Sequence, residues 1–257
     1  MEDLLAVEEP LEIRLRDGRG ELRSVAVTMR TPGHDRVLAL GFLYSEGILS
    51  DLDQVQQLEH RHTFSPEGAG NVLEVSLKAG KRVDWDQLQR NFYTTSSCGV
   101  CGKASLQAVT QQLPPFMPRA PWTVPARLLC SLPEKLREAQ RVFGQTGGLH
   151  AAAVFSQQGE LLILREDVGR HNALDKLLGE ALQRGLLPLQ EQLLLVSGRA
   201  SFELVQKALM GGLELMAAIG APSSLAAELA ADHGMTLAGF LSGHRFNIYS
   251  GQQRIIL

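Results

Sequence analysis

The sequence predicts an α/β fold in which a layered α/β domain follows a smaller β-rich domain. Three observations support this fold class. Near the N-terminus, two short stretches alternate apolar and polar residues on either side of a glycine-containing turn at 17–20. From residue 126 onward, helical and strand-like patterns alternate along the chain. Between these parts, residues 113–125 are dense in proline, which fixes φ and disfavours helix in the residue before it.

The N-terminal part predicts four strands and one helix. The stretches 11–16 and 24–29 form a hairpin with one solvent-facing side. Over 35–49 the apolar residues recur near helical spacing, which predicts the helix. Residues 71–77 alternate again, and 54–60 are their predicted partner strand.

The C-terminal part predicts helices around a largely buried sheet. The helices are expected over 126–143, ended by Gly144, and over 172–182, 202–210 and 224–231. The strands are expected over 151–155, 160–164, 192–196, 213–218, 236–241 and 246–249. The predicted domains are residues 1–95 (β-rich), 96–125 (a reactive cysteine loop, a helix and the proline-rich connector) and 126–257 (α/β and ligand-binding).

Composition limits the classes of partner. The chain has 257 residues and a formal net charge of −3, from 25 basic and 28 acidic side chains, which gives no argument for binding nucleic acid or a membrane surface. No apolar run reaches the roughly 18 residues that span a bilayer. The acidic N-terminus lacks the pattern of a signal peptide. An odd, low count of 3 cysteines fits a reducing compartment, so we expect a cytoplasmic protein.

Residues 96–103, Ser-Ser-Cys-Gly-Val-Cys-Gly-Lys, hold two of the 3 cysteines. Small neighbours leave the sulfurs of Cys98 and Cys101 accessible, and glycine lets the backbone turn sharply. A helix that begins near Lys103 would direct its N-terminal dipole at this loop, and the dipole and the lysine charge both favour a thiolate. Because the thiolate is the reactive form, the sequence predicts sulfur chemistry here.

The sequence supports three other uses of this cysteine pair to different degrees. A structural zinc site usually takes four ligands, and Cys130 lies on a predicted apolar helix face, so zinc would need His150 or another of the 7 histidines. A thioredoxin-like dithiol lacks a clear strand–CxxC–helix context. Zinc deaminases use a His-x-Glu followed by Pro-Cys-x-x-Cys. Here alanines follow His150, and Ser97 stands in place of the proline, so metal-assisted deamination is not supported.

Four polar clusters, at 146–150, 165–172, 197–201 and 242–245, fall at junctions between predicted elements. Each combines glycine with arginine or histidine, groups that cradle a phosphate, and ligands of α/β domains bind at strand ends. The candidate contacts in the first three clusters are Gly148, His150, Arg170, His171, Ser197, Gly198 and Arg199. The arginines expected to offset phosphate charge are Arg165, Arg170, Arg199 and Arg245.

Three further charged residues belong to the same stretch of the chain. Asp167 is expected to cap the helix that follows it, and the alternative is that it holds Arg170. Asp175 and Lys176 are expected to be solvated charges on the surface of that helix.

Six motifs together resemble the formate dehydrogenase accessory sulfurtransferase family, in the family's order and over nearly the whole chain. The motifs are Ser96-Ser97-Cys98-Gly99-Val100-Cys101-Gly102, Gly148-Leu149-His150-Ala151-Ala152, Glu166-Asp167-Val168-Gly169-Arg170-His171-Asn172-Ala173, Asp175-Lys176, Ser197-Gly198-Arg199 and Gly239-Phe240. The resemblance implies a cytoplasmic homodimer with a cytidine-deaminase-like layered α/β domain that has lost the metal chemistry. It also implies that the protein takes sulfur from a cysteine desulfurase and delivers it to the molybdenum (or tungsten) bis-guanine-dinucleotide pterin cofactor of formate dehydrogenase.

The resemblance further implies residue roles. The persulfide would form on Cys98, with Cys101 assisting, and no permanent metal is expected. The implied cofactor contacts are Phe240, Leu241, Ser242, Gly243, His244 and Arg245, and GDP is the expected small analogue of the cofactor. A second function class stays open, in which the protein is a non-catalytic chaperone whose cysteines only protect the bound cofactor. A dithiol oxidoreductase, with a stable Cys98–Cys101 disulfide, is a third.

Overall fold

The computed structural model describes residues 3–61, 71–85, 113 and 122–257. The first sheet is built from β1 (Glu9–Arg16), β2 (Leu22–Arg30), β3 (Val55–Arg61) and β4 (Val72–Leu77), and the helix α1 (Asp35–Ser45) follows β2. The strand order is β2-β1-β4-β3, with β1 parallel to β4 and the other two pairings antiparallel. The predicted hairpin, helix and second strand pair are therefore confirmed.

Alternation along β1 explains which side of this sheet is buried. Leu11, Ile13 and Leu15 point to one face and are fully buried, because successive side chains of a strand point to opposite faces. They pack with α1 residues such as Leu38 and Leu43 in one apolar cluster.

The second part of the chain contains five helices and a larger sheet within residues 122–257. Its elements are β5 (Val124–Pro125), α2 (Ala126–Ala139), α3 (Arg141–Thr146), β6 (His150–Phe155), β7 (Leu161–Asp167), α4 (Arg170–Gln183), β8 (Leu193–Val196), α5 (Phe202–Met210), β9 (Leu215–Ala218), α6 (Ser224–Asp232), β10 (Thr236–Gly239), β11 (Asn247–Ser250) and β12 (Ile255–Ile256). The predicted elements are present, with boundaries shifted by a few residues.

The direction of the strands brings one set of loops together. In the six-stranded order β11-β10-β9-β8-β6-β7, strands β8, β9 and β10 are parallel, and β6 is antiparallel to both of its neighbours. The carboxyl ends of β7, β8, β9 and β10 therefore lie at the same edge as the amino end of β6. We call this edge, with the loops that leave it, the site edge.

Two predictions about the region before β6 are corrected. The helix expected over 126–143 is two helices, because the backbone of Gln140 is extended (φ −74°, ψ 98°), and the second one continues past Gly144. It ends instead at Gly147, whose φ of 66° is a conformation that glycine adopts without strain.

The end of the proline-rich stretch packs into the core. Trp122 is 8% exposed and Val124 is fully buried, and β5 pairs in parallel with β12. Residues 122–125 are extended, as expected, but form part of the packed domain. Residues 114–121 of the predicted connector lie outside the described residues.

Helix α4 is buried on more sides than its sequence suggests. A Cβ added at Gly41 of α1 would lie 1.8 Å from the carbonyl oxygen of Asp175, and one at Gly179 of α4 would lie 1.8 Å from the carbonyl oxygen of Val37. The two helices therefore cross with their backbones in direct contact, which only glycine permits at these positions.

This crossing overturns the expectation that Asp175 and Lys176 are solvated. Asp175 is 3% exposed and lies 2.9 Å from the ammonium group of Lys207 on α5. Lys176 is 1% exposed, and its Nζ lies 2.6 Å from Oδ2 of Asp167. Both are structural ion pairs, because a buried charge is costly unless it is paired.

The expected capping by Asp167 is also wrong in detail. Gly169 is the N-cap of α4 and makes no side-chain cap. Oδ1 of Asp167 instead accepts a hydrogen bond from the amide of Gly169 itself (2.8 Å), and its Oδ2 forms the ion pair with Lys176.

Among the described residues, no helix is long and apolar enough to cross a membrane.

Candidate functional site

The predicted reactive loop is not part of the described structure. Cys98 and Cys101 lie outside the described residues, so their roles stay predictions. Cys130 is described, on α2, as a half-buried free cysteine. Within the described ranges, no group of three or more histidine, cysteine, aspartate or glutamate residues could hold a metal ion.

The site edge continues the hydrogen bonding of the sheet beyond its strands. The amide of Gly220 donates to the carbonyl of Gly198 (3.1 Å), and the amide of Phe240 donates to the carbonyl of Gly220 (3.1 Å). The loops after β8, β9 and β10 therefore run side by side, and the predicted clusters at 197–201 and 242–245 share one edge.

Glycine keeps these loops close together. A Cβ at Gly220 would lie 3.0 Å from Cα of Arg199, and one at Gly239 would lie 2.7 Å from Cδ of Pro222. At Gly239 a Cβ would be closer to the proline ring than real Cβ atoms come, and at Gly220 it would be tight against the backbone of Arg199, so a side chain at either position would shift its neighbour. Gly220 was not among the sequence candidates, although its place directly after β9 is the kind of signal that identified Ser197 and Gly198 after β8.

His150 and Arg170 lie together over Gly198. A Cβ at Gly198 would be 3.4 Å from both Nδ1 of His150 and Cδ of Arg170. Burial lowers the pKa of His150 below its usual value, and the charge of Arg170 lowers it further. The imidazole of His150 is therefore neutral near pH 7 and lies beside a permanent cation.

His171 joins the beginnings of two helices. It lies in the first turn of α4, and its Nε2 is 3.2 Å from Oγ of Ser201 and 3.1 Å from a carboxylate oxygen of Glu203, in the first turn of α5. Burial, helped by the charge of Arg170, lowers the pKa of His171 to about 3, so its ring is neutral; its Nε2 is hydrogen-bonded with Ser201 and lies next to Glu203. Glu203 is not marked by any local sequence pattern, since its contact is with a residue 32 positions earlier.

Three arginines of the site edge have no acidic partner within the described ranges: Arg170, Arg199 and Arg245. Nε of Arg170 is buried and has no hydrogen-bond partner there. Arg165, the fourth candidate, forms an ion pair with Glu180 and is not free for a ligand. An excess of unpaired guanidinium groups favours an anion, and arginine suits phosphate and carboxylate by its planar array of donors.

The segment 240–245 leaves the sheet through an unusual residue. Phe240 has a φ of 53° and is 48% exposed, so an aromatic ring stands at the surface on strained backbone. The amide of Ser242 then donates to the carbonyl of Arg245 (2.9 Å), which closes a tight turn with Gly243 and His244 exposed at its tip. Leu241 is buried beneath it.

Gly148 has a different environment from the other candidates. It is exposed, its amide is 3.4 Å from Oγ1 of Thr146, and it precedes His150 by two residues. The structure therefore gathers His150, Arg170, Ser197 and Gly198 into one cluster, places Arg199 and 240–245 along the same edge, and leaves Gly148 at its margin.

Comparisons with known proteins agree with this fold. The solved structure of a proposed formate dehydrogenase accessory protein from Desulfotalea psychrophila superposes with a TM-score of 0.72, covering 100% of this chain and 92% of that one, at 23% identity. At that identity the likeness concerns the fold alone.

Sequence relatives are much closer. The chain is 53% identical over 265 residues to a protein of Streptomyces avermitilis named sulfur carrier protein FdhD, covering 99% of this chain and 90% of the relative. It is 51% identical over 259 residues to a protein of the same name from Mycobacterium tuberculosis, covering 98% and 92%. The family model of FdhD/NarQ matches residues 6–256. The chain belongs to the FdhD/NarQ family.

Proposed function

We propose that this chain is a cytoplasmic sulfur carrier, a sulfurtransferase required for formate dehydrogenase activity. It accepts sulfur from a cysteine desulfurase on Cys98 and delivers it to the molybdenum (or tungsten) bis-guanine-dinucleotide pterin cofactor. In the loading step, the Cys98 thiolate attacks the outer sulfur of the desulfurase persulfide. A new S–S bond forms on Cys98, the old one breaks, and the desulfurase cysteine leaves as a thiolate, so that no external oxidant is needed.

The observation that carries this proposal is the pairing of the Cys98 motif with more than 50% identity to proteins named as sulfur carriers, over nearly the full chain. The site edge supports the proposal because it offers the kinds of groups that bind a nucleotide-bearing substrate. Arg170, Arg199 and Arg245 can offset diphosphate charge, and the exposed ring of Phe240 offers a surface on which a base can stack.

We further propose the domain limits 1–95, 96–125 and 126–257, a homodimer, and a relation of the larger sheet to the cytidine deaminase fold. The domain limits follow from the change of sequence pattern around the proline-dense stretch, whereas the homodimer and the fold relation are what the family resemblance implies. The sheet order, with parallel β8, β9 and β10 beside antiparallel β6, is compatible with that relation.

Mass spectrometry tests the loading step. The protein is incubated with a cysteine desulfurase and cysteine, and the peptide containing Cys98 should gain the mass of one sulfur. Cys98→Ala should abolish the gain, and Cys130→Ala is the matched control that should retain it. If Cys98→Ala gains as much sulfur as the parent, Cys98 is not the carrier.

The same experiment separates the other two functions. A chaperone that only protects the cofactor would bind GDP and gain no sulfur. A dithiol oxidoreductase would instead give a stable Cys98–Cys101 disulfide, seen as a loss of two hydrogens that reductant reverses.

A further inference from the structure

Ser197 is bonded twice to the neighbouring strand. Its amide donates to the carbonyl of Ala151 (2.9 Å), and its Oγ accepts from the amide of Ala151 (2.8 Å). The side chain thus extends the ladder between β6 and β8 by one bond. The first bond fixes the backbone of Ser197 and the second fixes its Oγ, and neither uses the hydroxyl proton.

The acceptor for that proton is His150. Its Nδ1 lies 3.4 Å from Oγ of Ser197, and no other acceptor contacts this hydroxyl among the described residues. The hydroxyl oxygen of Ser197 already accepts a hydrogen bond from the amide of Ala151. Its single proton is therefore free to be donated, and it is donated when Oγ–H points at Nδ1 of His150. A neutral imidazole that accepts at Nδ1 carries its proton at Nε2.

The neighbours of His150 favour the neutral form of its imidazole ring. Arg170 lies beside the ring over Gly198, and its permanent charge opposes a second positive charge on the imidazole. A Cβ at Gly198 would be in ordinary contact with both Cδ of Arg170 and Nδ1 of His150, at 3.4 Å, so these two groups lie directly over the backbone of Gly198.

His171 provides a useful contrast. Its Nε2 is engaged with Ser201 and Glu203, so its ring is used within the protein. Nε2 of His150 makes no hydrogen bond to any described residue. At this cluster the free imidazole N–H therefore belongs to His150.

We infer that Ser197 is a positioning residue that holds His150 as the tautomer protonated at Nε2, so that the site edge meets an anionic oxygen of its ligand with a neutral N–H donor from His150 beside the guanidinium of Arg170. The two groups have different roles. Arg170 supplies the charge, and His150 supplies a directed hydrogen bond without adding a cation that neighbouring Arg170 would destabilise. The tautomer rests on the geometry alone, whereas the ligand, a nucleoside diphosphate, rests on the proposed function.

Nuclear magnetic resonance of the ¹⁵N-histidine-labelled protein measures the tautomer directly. Long-range proton–nitrogen correlations distinguish a ring protonated at Nε2 from one protonated at Nδ1, and His150→Asn assigns the signal. The parent should show the Nε2–H form. Ser197→Ala should give a mixture of tautomers, Ser197→Thr should restore the single form, and Ser156→Ala, at the other end of β6, should leave it unchanged.

Calorimetry with GDP measures the consequence. Ser197→Ala should raise the dissociation constant about three- to tenfold, the worth of one oriented hydrogen bond, and Ser197→Thr should recover most of the loss. A parent ring protonated at Nδ1, or a tautomer and affinity that Ser197→Ala does not change, would overturn the inference. Sulfur loading of Cys98 is a separate measurement, so its failure would reject the proposed function and leave the tautomer result standing.

Discussion

At the residue scale, Arg170 combines two features that leave its guanidinium group without a partner. Its Nε is buried without a hydrogen-bond partner among the described residues, and its side chain makes no ion pair there. Leaving a buried polar group unsatisfied costs about 1–3 kcal/mol. An anion bound beside His150 would satisfy this group, so we expect Arg170 to contribute more to binding than the exposed Arg199 or Arg245.

The first prediction concerns this arginine. Arg170→Gln should raise the GDP dissociation constant about tenfold or more, because a charge-assisted hydrogen bond is worth about 1.5–3 kcal/mol. The parent's affinity should fall with added salt, and the variant's should fall less. Arg19→Gln is the control, since this arginine lies in the hairpin turn at the far end of β2 from the site edge. Equal affinity of parent and Arg170→Gln would remove Arg170 from the site.

The second prediction concerns His171. The ordinary pKa of histidine is 6.5, and that of His171 in the fold is about 3, so below pH 6.5 the unfolded chain binds a proton that the folded chain does not. The free energy of unfolding should therefore fall as pH is lowered from 6.5 toward 3. Denaturation of His171→Gln over this range should show a shallower fall than the parent. Parallel pH curves for the two proteins would contradict the assigned environment.

At the scale of elements, the crossing of α1 and α4 depends on two glycines. Gly41 and Gly179 each leave room for a carbonyl of the other helix. The crossing also places Ser45 at the end of α1 against Asp175, with 2.8 Å between Oγ and the carboxylate. The pairing therefore buries the polar positions of α4 as well as its apolar ones.

The third prediction tests that crossing. Gly41→Ala should destabilise the protein by about 1–3 kcal/mol or more, because the added methyl meets backbone that cannot move aside cheaply. Gly144→Ala is the matched control. Its Cβ would meet nothing within 4 Å inside α3, so this change should stabilise by roughly 0.5–1 kcal/mol. Thermal unfolding of both variants measures the difference, and a neutral Gly41→Ala would mean that the helices do not touch here.

Local sequence patterns predicted most helices and strands, because buried apolar residues recur at a regular spacing along each of these elements. The hairpin, α5 and the strands of the larger sheet follow from periods of two and near four in the apolar residues. The break at Gln140 could not be predicted, since neither glycine nor proline marks it. The burial of Asp175 and Lys176 could not be predicted either, because their partners Ser45, Thr31 and Lys207 lie far away in sequence.

The candidate site was predicted in outline for a similar reason. Strand ends of a sheet converge whatever their distance in sequence, so Ser197 and Arg170 could be assigned to one edge before the structure was known. The contact between His171 and Glu203 depends on how two helices begin side by side. Sequence spacing carries no signal for that contact.

At the scale of the whole molecule, buried charges connect the first sheet and its helix to the rest. Nζ of Lys207 on α5 lies 2.8 Å from Oγ of Ser45, 2.9 Å from Asp175 and 3.2 Å from Glu46. Near the site edge, the amide of Thr31 donates to Asp167 (3.1 Å), at the end of β7 and three residues before Arg170, which begins α4. The N-terminal sheet therefore helps to support the ligand-facing residues as well as covering α4.

The fourth prediction concerns this connection. Lys207→Met should cost about 3–5 kcal/mol of stability, because it leaves a buried carboxylate unpaired. The double variant Lys207→Met/Asp175→Asn should cost less than Lys207→Met alone, since it also removes that carboxylate charge. Arg184→Met removes a half-exposed arginine from Glu180, which keeps its ion pair with Arg165, so this change should alter stability by less than about 1 kcal/mol. A double variant as unstable as the sum of its parts would contradict the pairing.

The central claim is that sulfur carried on Cys98 passes to a cofactor bound at the site edge, and a single-turnover transfer of labelled sulfur tests it most directly. The protein is loaded with radiolabelled sulfur from a cysteine desulfurase, separated from the desulfurase, and mixed with the bis-guanine-dinucleotide molybdenum cofactor in its two-electron-reduced form. The reduced cofactor supplies the two electrons that bring the outer sulfur of the persulfide to the sulfide level, and the Cys98 sulfur leaves as a thiolate. The label should leave the protein and appear on the extracted cofactor in equal amount, more slowly in Arg170→Gln, and Cys98→Ala should carry none. Label that stays on the protein, or that loads equally onto Cys98→Ala, would contradict the account.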